Sequence, residues 1–253
     1  SAMVGAVGDD AFGCQIRDGL IAERVDCEFL LQQPGSSSQV AFISVDATGS
    51  RNIFWHRGTA QPKLPNSLRS LLSASVRILH LDGLHLKPAL EAAKLARELK
   101  ITTVLDAGTL RPGMETLLPL IDHLVVSENF ARQVLGVHDP DAALKTLSGY
   151  GAQAVTITLG KAGSVSMARD GVIIRHPAFK VEVVDTTGCG DVFHGGYLYG
   201  LLKSWPLSQI IPFASACAAL KARALGGRTA IPDLRDVETF LRNQPGTEFR
   251  PCN

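Results

Sequence analysis

Residues 75–106 read SVRILHLDGLHLKPALEAAKLARELKITTVLD. The apolar runs SVRILHLD and ITTVLD are short enough for buried strands, and LKPALEAAKLAREL between them has helical periodicity. Leu86, Leu90, Ala93 and Ala96 fall on one predicted face, while Lys87, Glu91, Lys94 and Glu98 can pair along another. A strand, a helix and a second strand of this length make a crossover unit, in which the two strands run parallel. The alternation continues with METLLPL (helix), HLVVS (strand), ENFARQVL and DAALKTL (helices) and AVTITLG (strand). SVSMA and GVIIRH then read as a hairpin around Asp170-Gly171, and three helices are predicted over 192–203, 208–225 and 234–242. The predicted class is α/β, a mostly parallel sheet with helices on both faces.

Working back toward the first residue, Val4 to Val7 reads as a strand, followed by a helix with Phe12, Ile16 and Leu20 on one face. Residues 27–57 differ in character. CEFLLQ, QVAFISVD and RNIFWH read as short strands with turns at Pro34-Gly35 and Ala47-Thr48-Gly49, a small β-sheet inserted in the larger unit. The chain of 253 residues, 45% hydrophobic, is expected to form one domain. A formal net charge of +1 gives no electrostatic case for nucleic acid or an anionic membrane as partner. The longest apolar run, IIPFASACAAL, is too short to span a bilayer. The five cysteines, at 14, 27, 189, 217 and 252, include no CxxC pair, which favours a reducing cytoplasm over a disulfide framework.

The chemistry is expected in DTTGCGDVFHGG, residues 185–196, between the expected strand VEVVD and a helix. Ligands of open α/β sheets bind beyond the carboxyl ends of the strands, where such a loop would lie. Glycines at 188 and 190 permit unusual backbone angles, so the N–H groups of residues 188–191 can converge on an anion at a helix N-terminus. Asp191 in the first turn can then serve as a base, an arrangement that suits phosphoryl transfer. A plain capped helix with turn-forming glycines is the competing reading of these residues. Cys189 could be a nucleophile, but no motif brings a base to it, and His194 reads as an ordinary helix-surface residue. His80, Asp82 and His85 have no clear shared face on which to hold a metal.

VDTTGCGDVFHGG (184–196) resembles the signature of the ribokinase/PfkB carbohydrate kinases, usually D-T-x-G-A-G-D-x-F-x-G. VGAVGDDAFG (4–13), SSSQVAFISVDATGSRNI (36–53), SENFARQVLGV (127–137) and VTITLGKAGS (155–164) resemble further segments of that family, in the same order. FKVEVVDTTGCGDVFHGG and GGRTAIPD are also similar to the sulfofructose kinase branch, and more distantly to ketohexokinases. The resemblance implies a ribokinase-like fold with a lid, and an ATP-dependent kinase for a primary hydroxyl of a sugar, with a ketose or sulfo-ketose as the expected class. A nucleoside, 2-keto-3-deoxygluconate or phosphosugar kinase, or a non-catalytic binding domain, are the alternatives.

The same resemblance makes Asp191 the base and Gly188, Cys189 and Gly190 the anion hole. It places Thr158, Gly160, Lys161 and Gly163 on the phosphate and ribose side of ATP, with Ser215, Ala218 and Gly226 near the adenine. Asp82 and Arg111 are implied to face the sugar. Mg2+ would bridge the ATP phosphates with Glu128 nearby, and Asp185 and Thr187 would shape a loop for K+, although Lys221 adds a fixed positive charge close in sequence. Specificity is expected to rest partly on lid residues such as Ser38, Asn52 and His56, and the lid strands are expected to pair two subunits into a homodimer. Three features depart from the family pattern. Cys189 stands for an alanine, and Ser127 and Phe130 stand for the asparagine and second glutamate of N-E-x-E. The family's first strand, its first lid strands and its Gly-Gly…Asn helix have no counterpart, which implies a longer natural chain.

Overall fold

The strand–helix–strand unit forms as its periodicity predicts, and parallel pairing continues through the next two strands of the main sheet. The computed structural model describes residues 1–47, 49–136 and 139–244; Thr48 of the expected lid turn and Cys252 lie outside them. In chain order the elements are β1 (Gly5–Gly8), α1 (Ala11–Ala22), β2 (Leu30–Gln33), β3 (Val40–Val45) and β4 (Arg51–His56). Then come α2 (Leu68–Ser75), β5 (Ile78–Leu81), α3 (Leu86–Glu98), β6 (Thr102–Ala107), β7 (His123–Ser127), α4 (Glu128–Leu135) and α5 (Pro140–Ser148). The chain continues through β8 (Ala154–Thr158), β9 (Ser164–Ala168), β10 (Ile173–His176), α6 (Cys189–Leu202), α7 (Leu207–Lys221) and α8 (Leu234–Arg242).

The main sheet has the order β10-β9-β8-β7-β6-β5. Strands β5 to β8 run parallel, and β9 and β10 complete it antiparallel. Side chains alternate across it and feed two cores. Leu105, Leu124, Val126, Val155 and Ile157 pack with residues of α3, α4 and α5, whereas Val104 and Val125 meet α6, α7 and α8 on the other face. The ends of β6, β7 and β8 lie side by side, with Ala107 opposite Val126 and Ser127 opposite Thr158. Their carboxyl edge therefore gathers the loops after Asp106, after Ser127 and after Thr158.

Several expectations are corrected in detail. In α3 the buried residues are Ala89, Ala92, Ala93 and Ala96, so small side chains bring the helix close to the sheet and leave Leu86 and Leu90 partly buried. Glu98 pairs with Arg69 of α2 at 2.5 Å. METLLPL forms two tight 3-10 turns, Met114–Thr116 and Leu118–Leu120, with Pro119 at the start of the second, where its missing N–H costs nothing. Of CEFLLQ only the last three residues are strand, as part of β2, which pairs parallel with β1 rather than joining the lid. VEVVD forms no strand; the backbone N–H groups of Val184 and Asp185 donate to the Ala222 carbonyl instead. The two-stranded antiparallel sheet is β3 with β4.

Candidate active site

Helix α6 begins at Cys189, three residues earlier than its periodicity predicts, so Cys189, Gly190 and Asp191 form its first turn. Gly188 is the N-cap at φ 77°, a left-handed conformation that favours glycine, and a β-carbon there would lie 2.3 Å from the Gly227 carbonyl oxygen. Gly190 has ordinary helical geometry, and a β-carbon there would meet nothing within 4 Å. It faces open space above the helix end. The Cys189 N–H is already used, donating to the Thr186 carbonyl at 3.2 Å. The first-turn amides of Gly190 and Asp191 are the donors that a helix start leaves without intrahelical partners.

Asp185 locks this loop in place. Its carboxylate accepts from the Thr187 N–H and the Gly226 N–H, both at 2.8 Å, and the residue is 1% exposed. Burial alone would raise its pKa, but the hydrogen bonds from Thr187 and Gly226 and the charge of Lys221 outweigh it and hold the carboxyl below its usual range. The Asp185 carbonyl accepts from Lys221 Nζ at 3.1 Å.

A second group lies under the loop, and sequence reasoning missed it. His194 is buried rather than on the helix surface. Its Nδ1 faces the Gly190 carbonyl at 2.8 Å and Asp106 Oδ2 at 3.4 Å, and its Nε2 faces the Val125 carbonyl at 3.3 Å. Burial lifts the Asp106 carboxyl above its usual range; His194 and Arg111 oppose this, while Asp191 and Asp82 reinforce it. His80 is held at about 4, first by burial and then by neighbouring His194, with Asp82 and Asp191 opposing. Asp191 and Asp82 thus act electrostatically on both Asp106 and His80, and Arg111 acts on Asp106. A signal for His194 existed in its position four residues after Gly190; nothing local points to Asp106.

The other expected residues are more dispersed. Thr158 ends β8 and donates its hydroxyl to the Val126 carbonyl at 3.3 Å. Gly160 at φ 57° and Lys161 are exposed in the turn that follows. A β-carbon on Gly163, at φ 94°, would strike the His176 carbonyl at 2.0 Å. Ser215 and Ala218, both half-buried, lie on α7, and Gly226 at φ 102° follows it. Asp82 is exposed and accepts from the Leu84 N–H, and Arg111 Nε is buried without a partner. Glu128 opens α4 and pairs with Arg132 one turn on. A cleft of about 420 Å³ borders Asp191, with Tyr199, Phe213, Ile231 and Leu234 among its walls; these apolar walls offer little to sugar hydroxyls. Among the described residues no cluster of three His, Cys, Asp or Glu could hold a metal, the His80–Asp82–His85 set included.

The lid touches the loop directly. Arg51 donates to Thr186 Oγ1 at 2.6 Å, and Thr186 donates to the Gly49 carbonyl at 3.0 Å. Trp55 lies under the Arg111 guanidinium, 5.9 Å from its ring centre. Arg51 and Trp55 share one face of the lid; Asn52 and His56, expected to meet the sugar, alternate onto the opposite face. Ser38 is fully occupied elsewhere. Its N–H and hydroxyl both donate to Asp10, and its oxygen accepts from the Gly8 N–H.

A loop of this kind at the carboxyl edge of a helix-covered parallel sheet, beneath a two-stranded lid, is the ribokinase-like arrangement. The Arabidopsis thaliana ribokinase complexed with ribose and ATP superposes with a TM-score of 0.85 at 21% identity, over 96% of this chain and 82% of that one. Ribokinase of Schizosaccharomyces pombe is 27% identical over 249 residues, covering 94% of this chain and 78% of that protein. Fructokinase of Klebsiella pneumoniae is 29% identical over 266 residues, covering 95% and 86%. Residues 1–234 match the pfkB family carbohydrate kinase profile, and the chain belongs to that family. It is a phosphotransferase acting on a sugar hydroxyl. These relatives are a ribokinase and a fructokinase, and they single out no narrower branch.

Two ions implied by the family can be tested against the residues. Magnesium commonly takes one or two carboxylates plus phosphates and water, and Glu128, at the carboxyl edge beside β8, can supply one through water. A monovalent cation fits poorly at Asp185 and Thr187. Both Asp185 carboxylate oxygens already accept backbone N–H groups, and its carbonyl holds an ammonium group.

Proposed function

We propose that the protein transfers the γ-phosphoryl group of ATP to a primary hydroxyl of a sugar, a ketose or sulfo-ketose. One observation carries this reading: Asp191 stands in the same helical turn as the open Gly190, so a carboxylate and free first-turn amides face one space. In this mechanism the Asp191 carboxylate takes the proton of the sugar hydroxyl, whose oxygen attacks the γ-phosphorus as the bond to ADP breaks. The amides of Gly190 and Asp191, with Gly188 shaping the turn, stabilise the charge on the transferred group; Cys189 contributes its place in that turn. Thr158, Gly160, Lys161 and Gly163 line the phosphate side of ATP, and Ser215, Ala218 and Gly226 its adenine side. Arg111 and Asp82 orient the sugar, and Arg111 offers a buried Nε in need of an acceptor. Glu128 would help hold magnesium, which would supply charge neutralisation for the phosphates.

ADP release over a panel of ribose, fructose, sulfofructose, 2-keto-3-deoxygluconate and nucleosides tests the reading. Asp191→Asn is expected to lower turnover on the best sugar by about 10²–10⁴-fold while calorimetry still detects ATP binding. Unchanged turnover in that variant removes Asp191 from the role of base. We also place the protein in a reducing cytoplasm, in keeping with the free Cys14, Cys27, Cys189 and Cys217. No helix among the described residues is long and apolar enough to cross a membrane. A homodimer through the lid is the further part of this proposal. The face of β3–β4 opposite Arg51 and Trp55 carries Phe42 and Phe54, cross-strand partners 71% and 64% exposed, which a second copy would cover.

A further inference from the structure

Lys221 is the last residue of α7 and is 0% exposed. Its Nζ donates to the Asp185 carbonyl at 3.1 Å and to the Ala224 carbonyl at 3.4 Å. A charged lysine is almost never buried unless it is paired. Here the pairing is a set of backbone carbonyls beside the Asp185 carboxylate, whose two oxygens pin Thr187 and Gly226. Carbonyl oxygens converging on one positive charge next to a carboxylate are the donor set of a monovalent cation site, and the charge already present is the ammonium of Lys221. A potassium ion placed on the same oxygens would stand within a few ångströms of that ammonium, and at so buried a position the repulsion between them would be weakly screened.

The position of this charge gives it a task. Asp185 begins the loop that ends at Gly188, the N-cap of α6, and its N–H is held by the Ala222 carbonyl just past Lys221. A positive charge on the Asp185 carbonyl therefore ties the base of the phosphate loop to the end of α7. We propose that Lys221 is a tethered replacement for the exchangeable monovalent cation, so that this kinase needs no potassium. The inference rests on the kinase reading above only for its turnover arm; its stability arm is independent of that reading.

The test compares chloride salts of potassium, ammonium and tetramethylammonium at equal ionic strength, the last being too large to enter a carbonyl cage. For the natural chain, the melting temperature and the rate of ADP release on the best sugar are expected to agree within twofold in rate and within error in temperature. Activation of more than twofold by potassium or ammonium overturns the proposal, as does a melting temperature that rises selectively in either salt. Lys221→Ala is expected to acquire the missing dependence, melting lower in tetramethylammonium and recovering in potassium or ammonium. A folded variant indifferent to all three salts overturns the proposal as well. Should the variant fail to fold in any salt, the melting series on the natural chain decides by itself. Absence of ADP release in every salt would count against the kinase reading and leave the melting result standing.

Discussion

The thiol of Cys189 feels opposing influences. Lys221 and Arg51 both favour its thiolate, as does the start of α6, and position at a helix N-terminus alone would predict an acidic, reactive cysteine. Burial is the largest influence and pushes the thiol above its ordinary value. Iodoacetamide at neutral pH is therefore expected to label Cys189 several-fold more slowly than the exposed Cys14, followed by peptide mass mapping. Faster labelling at Cys189 would restore the picture of an activated thiolate. Cys189→Ala is expected to keep turnover, because the side chain has no part in the proposed transfer and alanine retains the amide that bonds Thr186. The sequence shows the helix end but not the desolvation, which depends on how deeply a loop is covered by residues distant in the chain. The same holds for His194: its spacing from Gly190 is local, and its burial against Asp106 and Val125 is tertiary.

Helix α6 and its preceding turn show two glycines with different reasons for being small. Gly188 needs its left-handed φ and its closeness to Gly227, so Gly188→Ala meets both a backbone cost of about 1–2 kcal/mol and a clash. A melting temperature lower by several degrees is the expected outcome. Gly190→Ala encounters no protein atom and should keep the melting temperature, yet its methyl group would project into the open space proposed for phosphate, so loss of ATP affinity by calorimetry is expected. If Gly190→Ala binds ATP normally, the cradle lies elsewhere. Helix α3 was legible from its helical periodicity, and the strands flanking it from short apolar runs, which in β6 face a core on each side. The pairing of Leu30–Gln33 was not, since a four-residue strand with the sequence LLQQ does not reveal its neighbour. VEVVD misled for a related reason: β-branched residues favour extended backbone, but Val183 and Val184 are exposed and no strand lies beside them.

Across the whole molecule, the hydrophobic residues divide into two large cores on the faces of the main sheet and smaller ones elsewhere. Val7, Cys27 and Leu30 form a separate small core under α1, and β1–β2 shares no strand pairing with the main sheet. The lid adds an exposed aromatic pair, Phe42 and Phe54, whose ring centres are 6.1 Å apart. Sedimentation of the unsubstituted 253-residue chain is expected to give twice its mass of 27.0 kDa, and Phe42→Asp with Phe54→Asp to give the single mass. An unsubstituted chain that sediments at the single mass would refute the lid dimer. The α/β class was legible from alternation and the family from five ordered motifs, whereas the division into cores required the fold.

Thr186 carries two loads at once. Its hydroxyl joins Arg51 and Gly49 of the lid, and its carbonyl holds the Cys189 amide at the start of α6. Any outward displacement of the lid at Gly49 or Arg51 would pull on the residue that braces the proposed phosphate loop, and opening and slackening would then be one motion. Under that coupling the departing product and the loosening of its own grip would share a single barrier, and a closed lid would mean a loop already drawn tight for the next turnover.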